Sequence, residues 1–205
     1  MKKTLTLLIL AFSILNGFSQ TLNYGVGAGL SYNSLVISNF GDNVDPKYKL
    51  GFQINAAIGY NINDKIGLRT EPGFANRGTI LSYTGLPDSK ININYISIPL
   101  LFKFSPIDKL SLLFGPEFSH RLTAKSKSDG NTTDIKSLYD SKIDFGITAG
   151  LSYRLIDKLE LGLRYNRGFI STISDLRFTD EFGNDKGKAS LCNQGFTISL
   201  TYMIK

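Results

Sequence analysis

From Lys142 to Thr172 the chain alternates apolar and polar positions two by two. Ile143, Phe145, Ile147, Ala149, Leu151, Tyr153 and Leu155 share one phase, and Asp144, Gly146, Thr148, Gly150, Ser152 and Arg154 share the other. After a tight connection at Ile156–Lys158 the alternation resumes, with Leu159, Leu161, Leu163 and Tyr165 against Glu160, Gly162, Arg164 and Asn166. A period of two is the signature of a strand, because successive side chains leave it on opposite faces. Both runs exceed the usual globular strand of about 5–6 residues. They approach the roughly 9–11 residues that a tilted strand needs to cross a bilayer.

The same unit recurs along the chain. Strands are predicted at Tyr24–Asn33, Tyr48–Tyr60, Ile66–Gly78, Ile91–Phe104, Leu110–Leu122 and Leu191–Ile204, which with the two above makes eight. Gly25, Gly27 and Gly29 follow the strand spacing with no helix after them, so they read as a closely packed inner face and not as a phosphate loop. In the third strand Arg69, Glu71 and Arg77 oppose Ile66, Leu68 and Phe74, and Pro72 marks an irregularity. In the fourth, Ile96, Ile98, Leu100, Phe102 and Phe104 form the membrane phase, while Ile91, Ile93 and Tyr95 stand in the opposite phase. A bulge near Tyr95, or a strand projecting past the lipid, would reconcile them.

Connection length alternates too. Ser34–Lys47, Thr79–Lys90, Thr123–Ser141 and Ile173–Ser190 are long; Asn61–Lys65, Ser105–Lys109 and Ile156–Lys158 are short. Short turns at one end and long loops at the other, with an even strand count, are the rule for outer-membrane barrels. The expectation is an all-β, eight-stranded antiparallel up-and-down transmembrane β-barrel, with periplasmic termini and extracellular long loops. Tyr24, Tyr60, Phe102, Phe104, Tyr153 and Tyr202 fall near the short-turn ends, and Tyr32, Phe52, Phe74, Phe118, Phe145 and Phe169 near the others, as two interfacial girdles require.

The first residues stand apart. Lys2 and Lys3 precede an apolar run from Leu5 to Leu15 and small residues at Gly17 and Ser19. This reads as a cleaved signal peptide over 1–19, with the barrel domain at 20–205. The run is too short for a spanning helix.

The inward phase carries Arg69, Lys103, Arg154 and Arg164 together with Glu71, Glu117, Asp144 and Glu160. Signs balance, and an eight-stranded barrel is just wide enough for side chains to fill. A packed ion-pair network is therefore expected in place of a wide pore, with those residues in structural roles. Mean hydropathy is only −0.03 over 205 residues, which suits a wall whose alternate residues alone meet lipid. The net charge of +6 falls to +4 once Lys2 and Lys3 leave with the leader. Lys125 and Lys127 are the one short basic cluster in a loop and no footprint for nucleic acid.

At Tyr95-Ile96-Ser97-Ile98-Pro99-Leu100-Leu101-Phe102-Lys103 the chain resembles the PorT-like small outer-membrane β-barrel proteins of Bacteroidetes. Tyr95, Pro99 and Lys103 carry the pattern on a central strand. The resemblance implies fold and location over essentially the whole mature chain. One branch of the family implies a part in type IX secretion, with other envelope or secretion proteins as partners.

Candidate chemistry is sparse. His120 is the sole histidine, and its neighbour Ser119 lies on the opposite face of a strand, so the two form no catalytic pair. One cysteine, Cys192, excludes an internal disulfide and a cysteine-based metal cluster. Asp42, Asp45, Asp129, Asp134, Asp180 and Asp185 in the loops lack EF-hand spacing. No enzyme activity, metal or cofactor is expected. The partner that the pattern demands is outer-membrane lipid, and the role is structural or surface-binding. The alternatives are an accessory role in secretion and a soluble lipocalin-like barrel. The last would turn the aliphatic rows inward and Arg69, Glu71, Glu117 and Arg164 outward.

Overall fold

The computed structural model describes residues 22–38, 44–83, 86–138, 141–170, 177–179, 185–188 and 190–205. The leader expected over 1–19 therefore lies outside the described residues. Twelve strands follow in order: β1 Leu22–Ser38, β2 Val44–Asn61, β3 Ile66–Thr70, β4 Gly73–Tyr83, β5 Leu86–Ile107 and β6 Leu110–Ser128. Then come β7 Asn131–Asp134, β8 Ile143–Ile156, β9 Leu159–Gly168, β10 Arg177–Thr179, β11 Asp185–Lys188 and β12 Ser190–Met203.

β3 and β4 are one stave interrupted at Glu71-Pro72, and both pair with β2 and with β5. Proline has no N–H for a ladder, so the stave breaks there, while the Pro72 carbonyl still accepts from Ala56 N at 3.0 Å. Counting β3 and β4 together, eight antiparallel staves close a ring: β1, β2, β3/β4, β5, β6, β8, β9, β12 and back to β1. Closure leaves no unpaired edge within the wall, the condition for backbone in lipid.

The alternation decides which face meets what. On β12, Phe196, Ile198, Leu200 and Tyr202 are exposed outward, while Gly195, Thr197, Ser199 and Thr201 are buried inward. Val26, Leu30, Ile54, Leu100, Phe114 and Leu163 repeat this around the ring. The soluble lipocalin-like arrangement is thus excluded, because the aliphatic rows face away from the centre. Gly27 shows how tight the interior is: a Cβ there would come within 2.9 Å of Thr201 Oγ1 and 3.0 Å of Asn55 Oδ1.

At one end the three connections are short: Ile62–Lys65, Asp108-Lys109 and Asp157-Lys158. In the first, Asn63 Oδ1 accepts from the backbone N–H of Lys65 at 2.9 Å and of Ile66 at 2.8 Å. At the other end the structure corrects the sequence reading. Most of the expected loops Ser34–Lys47, Thr79–Lys90 and Thr123–Ser141 is strand, since β1 runs to Ser38, β2 starts at Val44, β4 reaches Tyr83 and β5 starts at Leu86. β6 continues to Ser128 and turns through Asp129 (φ 47°) and Gly130 (φ 77°) into β7. Positive φ at both central residues is the I′ hairpin geometry that Asp-Gly favours. The loop expected at Ile173–Ser190 lies mostly outside the described residues, apart from the pair β10 and β11.

These extensions read as loops because their outer faces are polar, but they hold a core. Leu81, Ile91, Ile93, Tyr95 and Ala124 pack together inside, with Ile135 against them. The projecting strand accounts for the phase at Tyr95, while the bulge lies on the partner strand. β5 projects as a 22-residue strand, and the ladder to β6 shifts register between Asn94 and Tyr95, leaving Leu122 as the extra residue. On β5 the odd positions point inward throughout, and it is the outer solvent that changes; on β6 the phase flips at Leu122, so that Ala124 is inward and Lys125 outward.

Replacing Leu163, outward on β9, by arginine should cost about 2–4 kcal/mol in lipid. Asn131→Arg on exposed β7, opposite Ser128, should stay within about 0.5 kcal/mol. Denaturant unfolding of the protein in vesicles measures both.

Candidate functional site: the charged interior

Inside the ring the polar rows converge. Arg69 on β3, Glu71 at the stave break, and Glu160 and Arg164 on β9 come from staves diametrically opposite each other. Arg69 Nε donates to Glu71 Oε1 at 2.6 Å and Nη1 to Glu160 Oε2 at 2.5 Å. Arg164 closes on Glu71 from across the lumen, with Nη2 to Oε1 at 2.5 Å and Nη1 to Oε2. Such bidentate pairs are the strong form of charge-assisted hydrogen bond. Ser152 Oγ adds a bond to Glu160 at 3.0 Å.

A second cluster lies nearer the long-loop end. Glu117 on β6 accepts from Arg77 on β4, from Ser97 Oγ at 2.7 Å and Ser119 Oγ at 3.2 Å, and from Thr148 Oγ1. The Arg77 guanidinium sits 5.6 Å from the Tyr95 ring centre. Tyr95 reaches across the lumen, where its hydroxyl accepts from Asn193 Nδ2 at 3.0 Å. The same amide contacts Asp144 Oδ2 at 2.7 Å. Above Tyr95 the apolar core fills the space.

Between the clusters is a polar cavity of about 40 Å3, bordered by Asn55, Arg77, Glu117, Thr148, Arg164 and Asn166. That is room for roughly three waters. The arrangement can bind water and hold two staves at fixed separation.

Of the sequence-selected residues, Arg69, Glu71, Glu117, Asp144 and Arg164 are buried and Glu160 half-buried. Lys103 is half-buried and donates to Asn61 Oδ1 at 3.2 Å. Arg154 is a correction: it is exposed, at the short-turn mouth beside the register shift between Arg154 and Ile156. There the strand emerges from the wall and its inward phase faces water. Tyr95 and Pro99 of the family motif are buried and inward. Arg77 and Arg121 were left out of the charge balance, yet both are buried. Their inward phase was the signal available. Asn193 and the lumen-crossing reach of Tyr95 had none, because staves four apart share no sequence pattern. His120 is exposed and Ser119 is buried against Glu117, so the pair is split by the wall.

Closed staves with apolar rows outside and paired charges inside define a transmembrane β-barrel. Residues 18–174 match the family described as outer membrane protein beta-barrel domain, and the chain belongs to that family. It is an outer-membrane protein. Among solved structures it is similar to Neisserial surface protein A, at 15% identity, covering 87% of this chain and 96% of that one, with a TM-score of 0.55. It is also similar to Ail, the attachment invasion locus protein of Yersinia pestis, crystallised with the heparin analogue sucrose octasulfate. There identity is 16%, covering 90% of this chain and all of that one, with a TM-score of 0.52. No curated protein matches the sequence.

Glu71→Gln strands two buried guanidinium groups and should cost about 3–5 kcal/mol in denaturant unfolding. Arg154→Ala should change stability by less than about 0.5 kcal/mol in the same assay. Tyr95→Phe should lose about 1 kcal/mol, the worth of one hydrogen bond.

Proposed function

We propose that the protein is a non-enzymatic outer-membrane anchor whose extended hairpins present a rigid, surface-binding platform outside the cell. One observation carries the reading: the lumen is tied shut by ion pairs and then filled by apolar side chains, while the sheet continues outward beyond the lipid-facing rows. A sealed barrel serves as support, and the feature it supports is the β-structure of the long-loop end. Cleavage of residues 1–19, periplasmic termini and extracellular long loops complete this topology. They are supported by the leader pattern and by the three short turns gathered at one end. Ail, of similar fold, binds a heparin analogue in its crystal, an example of a small barrel acting as a binder.

A second reading, an accessory part in type IX-like secretion, is favoured by the Tyr95–Lys103 motif and its PorT-like, Bacteroidetes resemblance. Tyr95 and Pro99 are buried, so that motif is placed to hold the wall and not to touch a partner.

The topology is tested with cysteines at Thr132 or Lys109 in a Cys192→Ser background, treated on intact cells with a membrane-impermeant maleimide. Label at position 132 and none at 109 is expected; the reverse overturns the orientation. In planar bilayers the purified protein should give no steady single-channel steps, and a sustained open conductance would overturn the sealed anchor.

A further inference from the structure

The outer wall of the β5–β6 hairpin changes character over a short height. Ile96, opposite His120 on β6, ends the apolar row of β5. One level higher a hydrogen-bonded row crosses four strands. Lys49 Nζ donates to Asn76 Oδ1 at 3.1 Å, Asn76 Nδ2 to Asn94 Oδ1 at 2.7 Å, and Asn94 Nδ2 to Thr123 Oγ1 at 2.9 Å. Next comes Asn92 opposite Lys125, and then Lys90 directly opposite Lys127. Lys90, Lys125 and Lys127 are exposed, and among the described residues none of them is in an ion pair.

Like charges placed directly across a ladder are destabilising. Two carboxylates lie close by, and neither is in an ion pair with these lysines among the described residues. Asp134 faces Lys125 across the ladder as an opposite charge, and its Oδ1 also accepts from the backbone N–H of Lys136 at 2.8 Å. Asp88, exposed, lies two positions beyond Lys90.

Height selects the ligand. Two residues of a strand tilted about 40° climb roughly 5 Å. Asn94 then stands about 5 Å above Ile96, Lys125 about 10 Å and the Lys90–Lys127 pair about 15 Å, by the same rise. The headgroup layer of an ordinary phospholipid is only about 5–8 Å deep. Phosphates carried on a sugar head stand higher and reach the lysines while their acyl chains remain on the apolar rows.

We propose that the outward wall of the β5–β6 hairpin binds a phosphate-bearing glycolipid of the outer leaflet. Its acyl chains lie along Ile96, Ile98 and Phe118, and its phosphates meet Lys125, Lys90 and Lys127. The site is continuous with the lipid-contact face, which a soluble polyanion would leave unused. It rests on the extracellular placement of the long-loop end. The cysteine labelling tests that placement separately, so the two can fail independently.

The full mature chain in detergent is offered bis-phosphorylated lipid A, its phosphate-free counterpart with identical acyl chains, or sucrose octasulfate, and retained ligand is read by native mass spectrometry. The wild type should prefer the phosphorylated lipid by on the order of tenfold or more, and salt should weaken the preference. The variant Lys90→Ser/Lys125→Ser/Lys127→Ser should lose the preference, while Lys65→Ser/Lys109→Ser/Lys158→Ser at the opposite mouth keeps it. All six positions are exposed, and the gel shift between heated and unheated samples verifies folding of each variant. Equal retention of both lipids by the wild type overturns the site. So does an unchanged preference in the first variant. Sucrose octasulfate held as tightly as the phosphorylated lipid overturns the lipid assignment in favour of a soluble polyanion.

Discussion

Glu71 carries the constraint on which the interior depends. It sits where Pro72 interrupts the third stave, and it takes Arg69 from its own stave and Arg164 from the opposite side of the ring. Charges inside a wall whose outer surface is lipid have no water to retreat to, so each must be matched by a neighbour. Eight staves set the lumen's width so that arginine and glutamate side chains from opposite walls just meet. The pairs do not simply add stability, because a hydrophobic filling could do as well. They tie the separation and register of opposite staves to one geometry.

The second constraint is the change of solvent along the barrel. Side chains alternate with a period of two whatever lies outside, so a strand that leaves the bilayer keeps its phases and must change its residues. On β5 the outward phase passes from Phe104, Phe102, Leu100, Ile98 and Ile96 to Asn94, Asn92 and Lys90. The inward phase changes oppositely, from Ser97 and Pro99 to Tyr95, Ile93 and Ile91, which join the apolar core. Tyr95 stands at the junction, with its ring under the core and its hydroxyl bonded to Asn193. The result is an inverted barrel in lipid carrying an ordinary one in water, on continuous strands.

That continuity fixes the geometry of the part beyond the lipid-facing rows. A hairpin that prolongs a closed wall and has its own core stays in register without separate support. Its outward residues are therefore held in rows, and a row of lysines is a more selective feature than the same lysines on a mobile loop. The lone histidine and the serine beside it do not build chemistry, since the wall places Ser119 on Glu117 and His120 outside.

The amino-acid sequence by itself determined the eight staves of the ring, their antiparallel order, the lipid-facing rows and the inward phase of Arg69, Glu71, Glu117, Asp144 and Arg164. These are local, since period two and connection length are written in neighbouring residues. It also signalled trouble at Pro72 and Tyr95. Tertiary structure alone decided which charges meet, because Glu71 and Arg164 are 93 residues apart and only ring closure brings them together. It likewise released Arg154 to water, drew Arg77 and Tyr95 into one cluster, and turned apparent loops into strand. In those hairpins a buried core lies behind a polar face, and polarity read along the chain does not reveal what is packed behind it.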